Sequence, residues 1–240
     1  VTASEESNGS RERIIAAATQ LFSQRGYQAT STRAIGDAAG LNIGTVAYHV
    51  GGKPDLYREV MRRAHAAQGA AVMAALGDVM EAEPTAESTV AALHHFVDAY
   101  LDFCLSHPEV PALWMRRWLD DGEGLDEGAD RDGREDPAGE DASRGERGSD
   151  VDEIVKDFAG PLVARVAEGV GGALDRAGIG ARVDLEMLAY SIVWSTHSFS
   201  RAGFVDSSGA RRVASSPAMT DRFRAHLHQL VDGVVLRSAD

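Results

Sequence analysis

Along almost the whole chain apolar residues return every three or four positions, and nowhere do β-branched residues alternate with polar ones over a run. That period belongs to the helix, where it gathers one side of each segment for burial and leaves the other side to water. An all-α fold follows, and 240 residues suffice for about one or two domains with a sizeable core. The composition, 44% hydrophobic and 25% charged, is that of an ordinary globular protein. No stretch reaches the roughly 18 consecutive apolar residues of a membrane span. The first ten residues are polar and acidic, without the basic and apolar regions of a secretory leader. The only cysteine, Cys104, suits a reducing compartment. The expectation is a soluble, cytoplasmic protein with no membrane partner.

The periodic segments have clear punctuation. Helix one is expected from Ser10 as N-cap to about Arg25, where Gly26 stops it, with residues 1–9 as a disordered tail. Helix two follows Ser31, turns Ile35 and Ala38 inward, and ends at Gly40. Asn42 caps a third short helix through Val50, broken by Gly51 and Gly52. Pro54, favoured in a first helical turn, opens a fourth that carries Leu56, Tyr57, Val60, Met61 and Ala64 and can run to Met80. A fifth bears Val90, Leu93, Val97, Tyr100, Leu101 and Cys104 and ends near His107 and Pro108; a short sixth bears Leu113, Trp114 and Trp118. Helix seven, 151–177, should bend at Gly160 and Pro161, because proline removes a helical hydrogen bond. Helices eight, 184–200, and nine, 220–237, complete the chain.

Charge is distributed unevenly, and position matters more than the net −13. Between Arg11 and Arg63 eight basic residues face four acidic ones, whereas between Asp120 and Glu153 fifteen acidic residues face four arginines. Residues 121–149, rich in Gly, Asp, Glu and Arg, have too few large apolar side chains to offset their ordering entropy, so a disordered acidic loop is expected there. The first quarter, by contrast, is basic and compactly punctuated. Its second and third helices are joined by a turn of three or four residues at Gly40, with the small Ala38 and Ala39 beside it, which is what a helix-turn-helix requires.

Residue identity sharpens this. The run 26–57, GYQATSTRAIGDAAGLNIGTVAYHVGGKPDLY, resembles the DNA-binding domain of the tetracycline-repressor (TetR) family in order and spacing. The resemblance covers about 10–61, and beyond it only the number and length of helices are similar. It implies a helix-turn-helix domain at 10–53 and a helical ligand-binding and dimerisation domain at 54–240, interrupted by the acidic insert. It also implies that Thr32 and Arg33 at the start of helix two, and Asn42, Ile43, Gly44 and Thr45 at the start of helix three, meet base edges and phosphates. Tyr48, His49 and Lys53 match positions that bind the DNA backbone. Two departures stand out: Ala47 where an aromatic residue is common, and Gly44, which has no side chain to read with. Each member also has a plainer reading, Tyr48 as a packing residue with an exposed hydroxyl, Arg33 and Lys53 as solvated surface charges, His49 as a capping or packing group.

No nucleophile motif, zinc spacing or phosphate loop occurs. His94 and His95 point about 100° apart on a helix, as neighbours must, which does not suit joint metal ligation. Neither catalysis, a metal nor a cofactor is expected. Phe96, Tyr100, Phe103, Trp114, Trp118 and Trp194 are candidates to line a small-molecule pocket, with core packing as the alternative. Helices eight and nine are apolar on more than one face, so Leu188, Ile192, Phe199, Leu227, Val231 and Val234 are candidates for a homodimer interface. The function expected is a homodimeric regulator, a repressor released from a palindromic operator in double-stranded DNA by a small ligand; the alternative is a helix-turn-helix regulator controlled by a protein partner.

Overall fold

The computed structural model describes residues 3–125, 159–180 and 184–235. Its helices are α1 (Ala3–Arg25), α2 (Thr32–Ala39), α3 (Ile43–Val50), α4 (Lys53–Glu81), α5 (Ala86–Ser106), α6 (Glu109–Leu125), α7 (Gly160–Arg176), α8 (Leu185–Ala202) and α9 (Pro217–Val235). A two-residue antiparallel pair, β1 (Phe204–Val205) with β2 (Arg211–Arg212), joins α8 to α9 and pairs Phe204 with Arg212. Among the described residues no helix is long and apolar enough to cross a membrane. The described residues divide into two compact units, 3–65 with 112–125, and 66–111 with 159–180 and 184–235.

Local chemistry sets most helix ends. Ser31 accepts from the Ala34 amide, Asn42 from Thr45, Thr85 from Ser88 and Asp184 from both Glu186 and Met187, each satisfying a donor that the first turn cannot bond internally. Gly40 ends α2 at φ 69°, a left-handed conformation that costs glycine nothing, while the Leu41 amide bonds back to the Gly36 carbonyl. Gly36 is required for a second reason: a Cβ there would lie 2.9 Å from the Leu41 carbonyl oxygen.

Four expectations need correction. Helix α1 begins at Ala3, so residues 3–9 are helical and Ser10 lies inside the helix. No proline interrupts this stretch. In α2 the inward alanine is Ala39, whereas Ala38 is exposed. Pro161 sits in the first turn of α7, where its missing N–H costs nothing; the bend expected at Gly160 and Pro161 would join this helix to 151–158, which lies outside the described residues. The hairpin was not anticipated. Its turn is organised by Asp206, whose Oδ1 accepts from Ser208 and Ala210 amides while Oδ2 accepts from Arg212 Nε. Of the acidic insert expected as a disordered loop at 121–149, residues 121–125 are helical, as the end of α6, and the rest lies outside the described residues.

In the first unit, Ile14, Ala18 and Phe22 of α1, Ile35 of α2, Val46 of α3 and Leu56, Val60 and Met61 of α4 are buried. Glu59 of α4 accepts from Arg62 and Arg63, and Arg63 also reaches Glu12 of α1. The hydrogen bond from Arg62 is the main reason the Glu59 carboxyl is pulled down to about 2. In the second unit the core gathers Leu76, Leu93, Val97, Leu101, Leu174, Phe199, Leu227 and Val231. Beside it α5 and α9 carry a polar ladder. His94 Nε2 lies 2.8 Å from Asp232, His228 Nε2 lies 2.8 Å from Asp98, and Arg224 bridges Asp98 and Asp102. The His94 and His228 rings stack between these rungs, 4.1 Å apart and nearly parallel.

Candidate functional site

The outward face of α2 and α3 is built by the caps just described. Thr30, buried where α1 turns toward α2, donates its hydroxyl to the Gly26 carbonyl at 2.7 Å and so fixes the entry to α2. Ile35 and Val46 then point inward, and the remaining sides of the two short helices face solvent. Arg33 is exposed and makes no ion pair among the described residues, while Thr32 beside it is half-buried. On α3, Asn42, Ile43 and Gly44 are exposed and Thr45 is half-buried. Tyr48 is 84% exposed and Ile43 57%, so neither side chain packs against the domain. The packing alternative for Tyr48 is therefore removed.

His49 is half-buried, with its ring edge-on to Tyr48 at 5.2 Å. Lys53, the first residue of α4, has its ammonium 4.3 Å from the centre of the Tyr27 ring, and partial burial lowers its pKa. Tyr27 in turn packs edge-on against Tyr57, which packs against Phe22. Lys53 is thus held by an aromatic cluster, and the residue that seats it, Tyr27, was not singled out from sequence. Its proximity depends on the turn at Gly26, which no periodic pattern reveals.

The other candidates are less uniform. Tyr100 and Phe103 of α5 are buried in the second unit and Phe96 packs beside its core; Trp194 of α8 is half-buried. Trp114 is buried and Trp118 is 43% exposed, and both belong to the first unit. A polar group surrounds Tyr100: Gln68 Nε2 donates to its oxygen at 2.9 Å, and His197 Nε2 lies 2.8 Å away. Gln68 thereby leaves the phenol hydrogen free to donate to an unprotonated Nε2, placing the imidazole proton on Nδ1. Burial holds His197 at about 4, raises the Tyr100 phenol well above its usual value, and pushes Cys104 up to about 12. Thr196 Oγ1, fully buried, has no partner among the described residues. Gln68, Thr196 and His197 escaped the sequence reading because a polar residue inside an apolar helix gives no periodic signal.

The interface candidates are corrected in part. Phe199, Leu227 and Val231 are buried in their own unit's core, with Phe199 stacked on Phe223 of α9, and Ile192 packs against that core. Leu188 is half-buried, and the Val234 side chain lies outside the described residues. The exposed apolar side chains of α8 are Met187, 57%, and Tyr190, 55%, with Trp194 6.0 Å from the Tyr190 ring.

Residues 14–60 match the family model described as "Bacterial regulatory proteins, tetR family". A comparison with curated proteins found no match. Among solved structures, a TetR-family regulator from Mesorhizobium loti is similar with a TM-score of 0.63 at 17% identity, covering 98% of each chain. The TetR-family regulator PfmR from Thermus thermophilus has a TM-score of 0.57 at 19% identity, over 92% of this chain and 94% of that one. The ketosteroid regulator KstR2 of Mycobacterium tuberculosis has a TM-score of 0.57 at 16% identity over 94% of each. Identities this low speak for the fold alone. The chain has the fold of these TetR-family regulators, and its residues 14–60 are similar to the part of the tetR family of bacterial regulatory proteins that the family model describes.

Proposed function

We propose that the chain acts as a homodimeric repressor that occupies a palindromic operator and is released from it by a small molecule. The observation that carries the reading is the face of α3: a capped N-terminus with Ile43 and Tyr48 largely exposed. An apolar and an aromatic side chain held in water on a short helix fit a surface completed by another molecule, and α3 is the right size for the major groove. In this reading Arg33 of α2 and Asn42, Ile43 and Thr45 of α3 meet base edges. Tyr48, His49 and Lys53 hold the sugar-phosphate backbone, and Thr32 and Gly44 let the backbone of each helix approach it. Two such helices in a two-fold dimer would address half-sites about 34–36 Å apart.

The dimer would form through the outer faces of α8 and α9, with Met187, Tyr190 and Trp194 from the first and the small residues Ala218, Ala225 and Gly233 from the second. What favours this is the exposed apolar area on α8, which a single copy leaves wet. Ligand recognition would centre on Tyr100 with Gln68 and His197. Supporting it is the burial of these three polar side chains bonded to one another inside an apolar core. Mapping the binding sites of the protein across its own genome, followed by footprinting, tests the first part. Two protected half-sites related by a two-fold axis are expected; protection of one isolated half-site would refute the dimeric reading. Screening small molecules for release of that duplex tests the second, and release by a protein alone would favour control by a partner.

A further inference from the structure

We infer that α3 reads its half-site through a hydrogen-bond donor and a methyl contact: Asn42 donates to the major-groove acceptor of a purine, and Ile43 covers the methyl group of a neighbouring thymine. The inference deepens the proposed DNA reading and rests on it. Its basis is how Asn42 is used within the protein. An amide side chain commonly recognises adenine with both ends, the carbonyl accepting from N6 and the NH2 donating to N7. Here the carbonyl is occupied. Asn42 Oδ1 accepts from the Thr45 amide at 2.9 Å and from the Thr45 hydroxyl at 3.0 Å, which uses both of its lone pairs. The backbone N–H also fixes which end of the amide is which, since an NH2 group could not accept from it.

Asn42 Nδ2 makes no bond among the described residues and is exposed, so what the side chain can present is two N–H donors and nothing else. Turning the amide to read adenine would break both capping bonds and leave the Thr45 amide open at the start of α3. Purine N7, or O6 of guanine, accepts without that cost. Thr45 is bound by the same logic: its hydroxyl hydrogen is committed to Asn42, so it can offer only an acceptor. Gly44 leaves the arrangement unstrained: a Cβ there would stand 3.3 Å from Asn42 Oδ1, a tight contact that the cap would have to ease.

Ile43 follows Asn42 directly and is 57% exposed at the first turn. It has no polar atom, so the feature of a base pair it can distinguish in the major groove is the C5 methyl of thymine. Asn42 and Ile43 thus ask for a purine acceptor beside a thymine methyl, and Asn42 makes no use of the adenine amino group.

The test starts from a duplex selected by the full-length protein from a randomised library. In that duplex each thymine is replaced in turn by uracil, each guanine or adenine by its 7-deaza analogue, and each adenine by purine lacking the amino group. Affinities are measured for the wild type, for Ile43→Ala and for Asn42→Asp, which keeps the capping oxygen and removes the donor. Each variant is first checked for an unchanged circular dichroism spectrum. One uracil position per half-site should weaken wild-type binding about three- to fivefold, the worth of one buried methyl group, and leave Ile43→Ala unaffected. One 7-deaza position should cost the wild type about fivefold and Asn42→Asp nothing further; comparing losses cancels the uniform effect of the added charge. If no uracil matters to the wild type, the Ile43 assignment falls. If the adenine whose 7-deaza analogue weakens the wild type but not Asn42→Asp also weakens the wild type when its amino group is removed, the side chain reads adenine with both ends and the donor-only reading is overturned. If the library yields no preferred sequence, the operator reading itself fails, and this inference with it.

Discussion

His197 should make the second unit sensitive to mild acid. Its imidazole is 5% exposed, bonded to Tyr100, and held by burial at about 4 against the ordinary 6.5. Between these values the unfolded chain binds a proton that the folded chain refuses, so stability falls as pH drops. The contribution is fully present above pH 6.5, is lost progressively down to about pH 4, and is level below that. The lowering corresponds to about 3 kcal/mol, a substantial part of the 5–15 kcal/mol that holds a typical domain together. Seven other histidines also titrate in the unfolded chain, so the pH profile of the wild type alone would not isolate the effect. The control is His197→Gln, whose side-chain carbonyl can still accept from Tyr100 and which carries no titratable proton. Urea midpoints would be measured for both proteins at fixed concentration from pH 7.5 to 4. At an m-value of about 2–3 kcal/mol/M the wild-type midpoint should fall by about 1 M more than that of the variant. Parallel profiles would refute the reasoning, showing that His197 takes up its proton in the folded protein as readily as in the unfolded chain.

Further outcomes follow from the same structure. Arg33→Ala should cost about 1–3 kcal/mol on the selected operator and less on random duplex, read by fluorescence anisotropy; equal losses would remove it from base reading. Lys53→Ala should weaken both duplexes alike and reduce the slope of log K against log salt by about one, and an unchanged slope would leave Lys53 as a partner of Tyr27 alone. Met187→Asp should shift sedimentation toward monomer while preserving helicity, whereas Val231→Asp, which buries a charge in the core, should lower the melting temperature sharply; the reverse pattern would invert the assignment of these faces. The Glu59 carboxyl, held at about 2, should contribute stability above pH 4.5 and lose it as pH falls toward 2. Glu59→Gln should flatten that acid limb in a thermal unfolding series.

What was legible in the chain was what depends on near neighbours. Ser31, Asn42 and Gly40 act within four residues of themselves, so their caps and turn could be read directly, and with them the order of the first four helices. The helical span of α4 and α5 was equally clear, because each carries one long periodic face. The start of α1 was missed because Ser7, Asn8, Gly9 and Ser10 look like a tail, although nothing in them forbids a helix. The hairpin was missed because strands of two residues are too short to show alternation. The interface assignment went astray for a different reason: Leu227 and Val231 are apolar and periodic whether they meet their own chain or another. Periodicity identifies a buried face but not its partner, and here the partner is α5. The Tyr100, Gln68 and His197 group was invisible for a related reason, since its members lie 32 and 97 residues apart and meet only once three helices have packed.

The ladder on α5 and α9 decides something that the apolar core beside it cannot. Leucines and valines one helical turn apart are nearly interchangeable, so α9 could slide along α5 by a turn and bury much the same surface. The rungs do not permit it. Sliding α9 one turn one way would set Asp98 against Asp232, two like charges in a half-buried seam. Sliding it the other way would face His94 squarely with His228 and strand Asp232 without a partner. Only one alignment satisfies His94, Asp98 and Asp102 together. Residues that add little to stability can therefore exclude the near misses, fixing the height along α5 at which the outer face of α9, with Ala218, Ala225 and Gly233, is presented to solvent.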